Sequence, residues 1–172
     1  MQGSSIHRAE AASRAATGSQ NVPGLDLRSK EVSEVGETGK VRVLFVHHEA
    51  SHLRTFQEIV ARQAVGLRLA RDISEASQAI EGAQPPHVVF TDTKLPDGDW
   101  QDVLALALKA SEAVNVVVVS AVGNISLYFE AVERGAFDLL TPNIAPRDFP
   151  LLLQAAAQDA VARRAAGASP SH

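Results

Sequence analysis

The chain has 172 residues, of which 45% are hydrophobic and 21% charged, enough for one ordinary domain with a sizeable core and a tail. Its formal net charge of −4 predicts no nucleic-acid partner and no attraction to anionic membranes. The lack of cysteine excludes disulfides, thiolate metal sites and cysteine nucleophiles. No apolar run approaches the roughly 20 residues of a membrane helix and no secretory signal is visible, so we expect a cytoplasmic protein.

The first segment, residues 1–40, is rich in Ser, Gly, Ala and Glu, and its few apolar residues are not periodic. Such a composition buries too little apolar surface to offset the entropy lost on ordering. We therefore predict a disordered or weakly ordered N-terminal tail over 1–40, a folded domain over 41–166 and a short C-terminal tail over 167–172.

From residue 41 onwards, five apolar and mostly β-branched runs alternate with segments of helical periodicity. The predicted strands are 41–46, 67–71, 87–91, 114–120 and 137–140. The predicted helices are 53–64, with Gly66 after its end, 73–80 behind an Asp72 cap, 100–110, 125–134 and 150–166. Five strand–helix units in this order predict a doubly wound α/β sandwich, a parallel sheet with helices on both faces.

The functional site of such a sheet lies beyond the carboxyl ends of its strands. The sequence places polar and titratable residues at several of these ends, so they are the candidate site residues. They are His47, His48, Glu49, Asp92, Thr93, Lys94, Ser120, Ala121 and Thr141.

Three ordered motifs resemble the receiver domains of response regulators in two-component signalling. The segment 90–99 (FTDTKLPDGD) is similar to the loop after the phospho-accepting aspartate, with Asp92 in that role and Pro96 and Gly98 in their usual places. In receivers this aspartate attacks a phosphoryl group as a carboxylate nucleophile.

The other two motifs follow in the expected order. The segment 116–124 (VVVVSAVGN) is similar to the fourth strand with its switch hydroxyl, here Ser120, and 131–140 (AVERGAFDLL) to the end of the fourth helix and the fifth strand. The resemblance covers about 125 residues and implies a flavodoxin-like, receiver-like sheet with strand order 2-1-3-4-5.

The resemblance also implies a changed phosphorylation pocket. Receivers hold Mg²⁺ with two acidic residues at the end of the first strand, but His47 and His48 occupy these positions here, with Glu49 just beyond them. Mg²⁺ demands oxygen ligands, so its binding is expected to be weak at best, and we expect no metal or other cofactor. A site for another metal on His47, His48 and Asp92 stays open, because imidazole suits zinc, nickel or copper.

Two further positions depart from the receiver pattern. Pro142 stands where the active-site lysine is expected and Asn143 where a proline should follow it, and Leu139 occupies the aromatic switch position. The resemblance therefore implies an atypical, stand-alone receiver in a phosphorelay, not an enzyme, that is phosphorylated weakly or not at all at Asp92. Lys94 could replace the missing cation, or simply be solvated.

The resemblance implies protein partners, a sensor kinase or a downstream target. Receivers usually signal through the face formed by the fourth and fifth helices, here about 125–134 and 151–164. A homodimer of this chain is a further possibility. Trp100 stands where receivers usually have a small residue. It is either an exposed anchor for a partner or packed onto the third helix.

A different function is suggested by residues 48–52, which match H-E-x-x-H. On a helix, His48 and His52 would bind zinc and Glu49 would activate water, as in a zinc-dependent hydrolase. The motif starts directly after a strand, where His48 is expected in a turn. The remaining histidines, His7, His87 and His172, are expected to be solvated or to form local hydrogen bonds.

Overall fold

The computed structural model describes residues 40–48, 50–141 and 143–167. The strands of its large sheet are β1 (Val41–Val46), β2 (Val65–Ala70), β3 (Val88–Asp92), β4 (Asn115–Val119) and β5 (Asp138–Leu140). The helices that alternate with them are α1 (Ala50–Ala61), α2 (Ile73–Glu81), α3 (Trp100–Lys109), α4 (Ile125–Glu133) and α5 (Asp148–Gly167).

The five strands are all parallel and lie in the order β2-β1-β3-β4-β5. The predicted doubly wound, flavodoxin-like sheet with order 2-1-3-4-5 is therefore confirmed. Its central strands are almost pure runs of Val, Leu and Phe because both of their faces are covered by helices.

Successive side chains of each strand point to opposite faces of the sheet and build two separate cores. One core packs α2, α3 and α4 onto residues such as Leu44 and Val118. The other packs α1 and α5 onto Phe45 and Phe90. Four rings meet in this second core at centroid distances of 4.3 to 5.5 Å; they are Phe45, Phe56, Phe90 and Phe149.

The largest boundary error of the sequence analysis concerns the first helix. It ends at Ala61, and Gly66 lies inside β2 rather than after a helix. Val65 and Gly66 pair with Val41 and Arg42, so pairing with β1 takes these residues into the sheet. The loop predicted at 94–99 contains a short hairpin, in which Lys94–Leu95 pairs with Gly98–Asp99.

The predicted tails lie largely outside the described residues, which begin at Lys40 and end at Gly167, the last residue of α5. Within the described ranges, no helix combines the length and apolarity that crossing a bilayer requires.

Candidate functional site

The carboxyl ends of four strands meet at one edge of the sheet and bring the predicted site residues together. Asp92 ends β3 and pairs in register with Val119, so Ser120 follows directly beside it. His47 follows Val46, the register partner of Thr91, and Thr141 follows Leu140, the partner of Val119. The register of the parallel strands is therefore enough to bring these residues together at one edge of the sheet.

Asp92 is half-buried, and its carboxylate is held in place by the backbone of the first strand–helix turn. Its Oδ2 accepts a hydrogen bond from the His48 N–H at 2.9 Å. An N–H donor stabilises the charged form of a carboxyl group, so Asp92 is presented as a carboxylate at the mouth of the site.

His47 lies half-buried beside this carboxylate. Its ring stacks on Phe45 with centroids 5.4 Å apart, and its Nδ1 atom is buried without a hydrogen-bond partner. Burial lowers the pKa of His47, and the Asp92 carboxylate acts in the opposite direction. The neutral ring therefore adds an apolar surface to the site where an acidic residue would add charge.

Ser120 is buried, with 6% of its surface exposed. Its Oγ donates to the Val122 carbonyl at 2.8 Å, and its N–H donates to the Leu140 carbonyl at 2.9 Å. The hydroxyl thus lies at the same edge as Asp92 but is bonded to its own turn.

The fifth strand contributes little charge to the site. Leu139, at the predicted aromatic position, is half-buried and packs against the core on the α2, α3 and α4 side. Asn143 is exposed in a turn, and Thr141 is half-buried. Pro142 and Glu49, two of the predicted departures from the receiver pattern, lie outside the described residues.

The loop after Asp92 is fixed by its own carboxylates. Asp99 caps α3 by accepting from the Gln101 N–H at 2.9 Å, and Asp102 accepts from the Asp99 N–H in return. Asp97 reaches the neighbouring α2 and accepts from the Ile73 N–H at 2.9 Å. These bonds hold the loop against the starts of two helices.

Lys94 has a partner within this loop. Its Nζ lies 3.6 Å from an Asp99 carboxylate oxygen, and its side chain is 83% exposed. An exposed lysine rearranges easily, because such a pair contributes less than about 1 kcal/mol. The ammonium group therefore points along the hairpin and would have to turn towards Asp92 to neutralise charge there.

The zinc hydrolase alternative gains no support. His48 lies in a bend before α1, so a helix does not run through the whole 48–52 motif. Glu49 and the side chain of His52 lie outside the described residues. Among the described residues, no group of three or more His, Cys, Asp or Glu side chains is arranged to hold a metal ion, and the site suggested for His47, His48 and Asp92 is not formed.

Trp100 and His87 have structural roles. Trp100 is 4% exposed and belongs to the core between the sheet and α3, so it does not serve as an exposed anchor. The His87 Nδ1 accepts from the Arg42 N–H at 3.0 Å, and because His87 is buried and Arg42 is distant in sequence, the expected solvated or locally bonded histidine is wrong here. His7 and His172 lie outside the described residues.

Two features add to the sequence analysis, which gave 125–134 as part of a partner surface without saying which side of the helix is exposed. The first is an apolar stripe on α4, defined by Ile125, Tyr128, Phe129 and Val132, which faces solvent with 38 to 69% of each residue exposed. Its i, i+3, i+4, i+7 spacing marks one helix face and is visible in the sequence, but spacing does not tell which face is buried. The second is a polar cluster around Asn115, described below.

A protein-family model described as the response regulator receiver domain matches residues 43–154. The response regulator protein PilR of Pseudomonas aeruginosa is 27% identical over 100 residues, which cover 58% of this chain and 22% of PilR. The chain therefore spans about a fifth of the length of this relative.

Solved structures show the same fold. A CheY-like response regulator receiver domain protein from Methanospirillum hungatei has a TM-score of 0.62 at 19% identity, with 72% of this chain and 98% of that chain covered. A beryllofluoride-activated NtrC4 receiver domain, described as a dimer, has a TM-score of 0.60 at 24% identity, with 69% and 97% covered.

Proposed function

Because the chain belongs to the response regulator receiver domains of two-component signalling, we propose that it is an atypical receiver in a phosphorelay. It acts through contacts with other proteins in the cytoplasm and carries no catalytic residue. Asp92 occupies the phospho-acceptor position, and Ser120 the switch hydroxyl position. His47 and His48 replace the acidic metal ligands, and phosphorylation is weak or does not occur.

The observation that carries this proposal is the pairing of Asp92 with the first strand end. The edge beside its carboxylate presents the half-buried ring of His47 and the backbone N–H of His48. Imidazole nitrogens are poor substitutes for the oxygen ligands of Mg²⁺, which normally neutralises the transferring phosphoryl group. Without the cation, charge would accumulate on this group with little to stabilise it.

The conformational switch that a phosphoryl group on Asp92 would operate is weakened for a related reason. A phosphoryl group changes a two-state equilibrium only through contacts that differ between the states. In the proposed assignment Pro142 cannot provide a cation and Leu139 cannot move a polar ring between water and the core. The partner-binding conformation is therefore populated without phosphorylation.

The partner surface is proposed on α4 and α5, over 125–134 and 151–164. The α4 stripe supports it, because an exposed apolar helix face fits a groove or a second helix on a partner. Leu151 on α5 is also 64% exposed. The partner is a sensor kinase or a downstream target, and a homodimer, the state described for the NtrC4 receiver domain, would use the same face.

Two substitutions at Asp92 test the independence from phosphorylation. Asp92→Ala and Asp92→Asn should retain partner capture in pull-downs from the host, because binding does not require the phosphoryl group. Phe129→Ser should lose capture, whereas Leu69→Ser, at an equally apolar exposed position on β2, should keep it. If both Asp92 variants lose capture while their circular dichroism is unchanged, Asp92 is a working acceptor and the proposal is wrong.

A mass measurement tests the acceptor directly. Incubation with acetyl phosphate and Mg²⁺ should add a phosphoryl group to only a small fraction of the protein, and none to Asp92→Asn. Complete and rapid modification of the wild type would contradict the weakened pocket.

A further inference from the structure

The edge of the sheet opposite Asp92 contains buried polar side chains that the receiver function does not use. His87 and Asn115 are 9% and 6% exposed at the amino ends of β3 and β4. They connect β1 to the C-terminal half of α5, through Arg42 on one side and Arg163 and Arg164 on the other. These side chains form the lower cluster: Arg42, His87, Asn115, Arg163 and Arg164.

Asn115 and the two arginines attach α5 to the sheet. The Asn115 Nδ2 donates to the Ala156 carbonyl at 2.8 Å and to Asp159 at 2.9 Å, and its Oδ1 accepts from Arg163. The guanidinium group of Arg164 contacts two loops, one before β3 and one before β4. It donates to the carbonyls of Pro86 at 2.6 Å and Ala113 at 2.9 Å, and it pairs with Glu112 at 2.7 Å; the two loops are thereby tied to the last turns of the helix.

A hydrogen bond from Arg42 favours one neutral tautomer of His87. Its Nδ1 accepts from the Arg42 N–H, so this nitrogen carries no hydrogen. Its backbone N–H donates to the Arg42 carbonyl at 2.8 Å, and its carbonyl accepts from the Asn115 N–H at 3.0 Å. The backbone of His87 is therefore fixed between Arg42 and Asn115, and its ring is held by the bond from the Arg42 N–H.

The charged groups that face His87 are mostly cationic. Arg42 comes from β1, Arg164 from α5, and Glu112 from the segment before β4. A proton on Nδ1 would point at the Arg42 N–H, donor against donor, and would add a third positive charge beside two guanidinium groups. Glu112 is already engaged by Arg164 and offsets only part of this charge.

We propose that the lower cluster is a proton-operated latch, in which neutral His87 keeps the last turns of α5 on the sheet and protonated His87 releases them. The release frees the α5 surface over about 160–167 and leaves the Asp92 edge in place. The latch is a pH-dependent conformational change of this domain and does not depend on phosphorylation of Asp92.

The pH range follows from the electrostatics. Burial, with Arg164 and Arg42 acting in the same direction and Glu112 against them, lowers the pKa of His87 to about 4. The pKa of a free histidine is about 6.5. Because the folded-state pKa is the lower one, the latch is fully closed above about pH 6.5 and opens progressively as the pH falls towards 4.

Hydrogen exchange with mass spectrometry on the full chain tests the latch. The rate of each amide is divided by the rate of an unstructured peptide at the same pH. For residues 160–167, protection should fall by about tenfold or more between pH 7 and pH 4.5. Amides of β1 and β4 should keep their protection. Constant protection of α5, or an equal loss over the whole sheet, would overturn the proposal.

His87→Asn is the matched variant, because its amide oxygen can accept near the Nδ1 position and does not titrate in this range. Its α5 protection should not change with pH, apart from the part due to carboxylates such as Asp159. If the variant retains the full wild-type pH dependence, the latch is wrong. Should it not fold, NMR titration of wild-type His87 replaces it. The opening must then follow protonation of this ring, and a separate midpoint would overturn the proposal.

Discussion

At the scale of residues, we expect the two imidazoles after β1 to weaken the response of the Asp92 site to Mg²⁺. We expect Mg²⁺ to cause only small amide shifts around Asp92 up to millimolar concentrations, because the ion requires oxygen ligands. The double substitution of His47→Asp and His48→Asp should increase the affinity by tenfold or more, a gain of about 1.4 kcal/mol. Adding Asp92→Asn to this variant should remove the gain. Tight, saturable Mg²⁺ binding by the wild type would contradict the expectation.

The positions of Asp92 and Ser120 could be predicted from the sequence, because the ends of parallel strands lie along one edge wherever each strand can be recognised. The direction of the Ser120 hydroxyl could not, since its bond to the Val122 carbonyl depends on the local turn. The role of Asn115 could not be predicted from the sequence either. Its partners on α5 are more than 40 residues away along the chain, and no local pattern connects them.

At the scale of elements, a side chain at position 98 in the loop after β3 would crowd the side chains of Asp102 and Ile73. A Cβ added there would lie closer than 3.0 Å to Asp102 Oδ2 and Ile73 Cδ1, and Asp102 would have to give up its capping bond to the Asp99 N–H. We expect Gly98→Ala to lower the free energy of unfolding by about 1–2 kcal/mol. Gly66→Ala is the control, because its nearest contact would be 4.0 Å away; its effect should stay within about 0.5 kcal/mol.

Urea denaturation of the two variants provides these values. An equal effect for both would mean that crowding at Gly98 is relieved without cost. Gly66 also explains why the first helix and the second strand were predicted with the wrong limits. Gly66 looks like the end of a helix locally, and only its pairing beside Arg42 identifies it as part of β2.

At the scale of the whole molecule, the described residues build two apolar cores, one on each face of the sheet. We therefore propose that residues 1–39 are dispensable for folding. A shortened chain that begins at Lys40 should lose less than about 1 kcal/mol and melt within about 4 °C of the full chain in calorimetry. A larger loss would show that the N-terminal segment stabilises the domain, and would give it a regulatory interpretation.

The division of the core between two faces has a consequence for synthesis on the ribosome. The buried members of the α2, α3 and α4 side are all present once Ala136 has been made. The other side must wait for Phe149, Leu153 and Ala157, because α5 supplies much of its cover. A nascent chain that has reached only residues 141–148 has all five strands and α1, but Phe90 lacks the cover of Phe149 and Leu153. Because this intermediate exposes apolar surface that the full chain buries, we expect proteases to cleave it more readily than the complete domain.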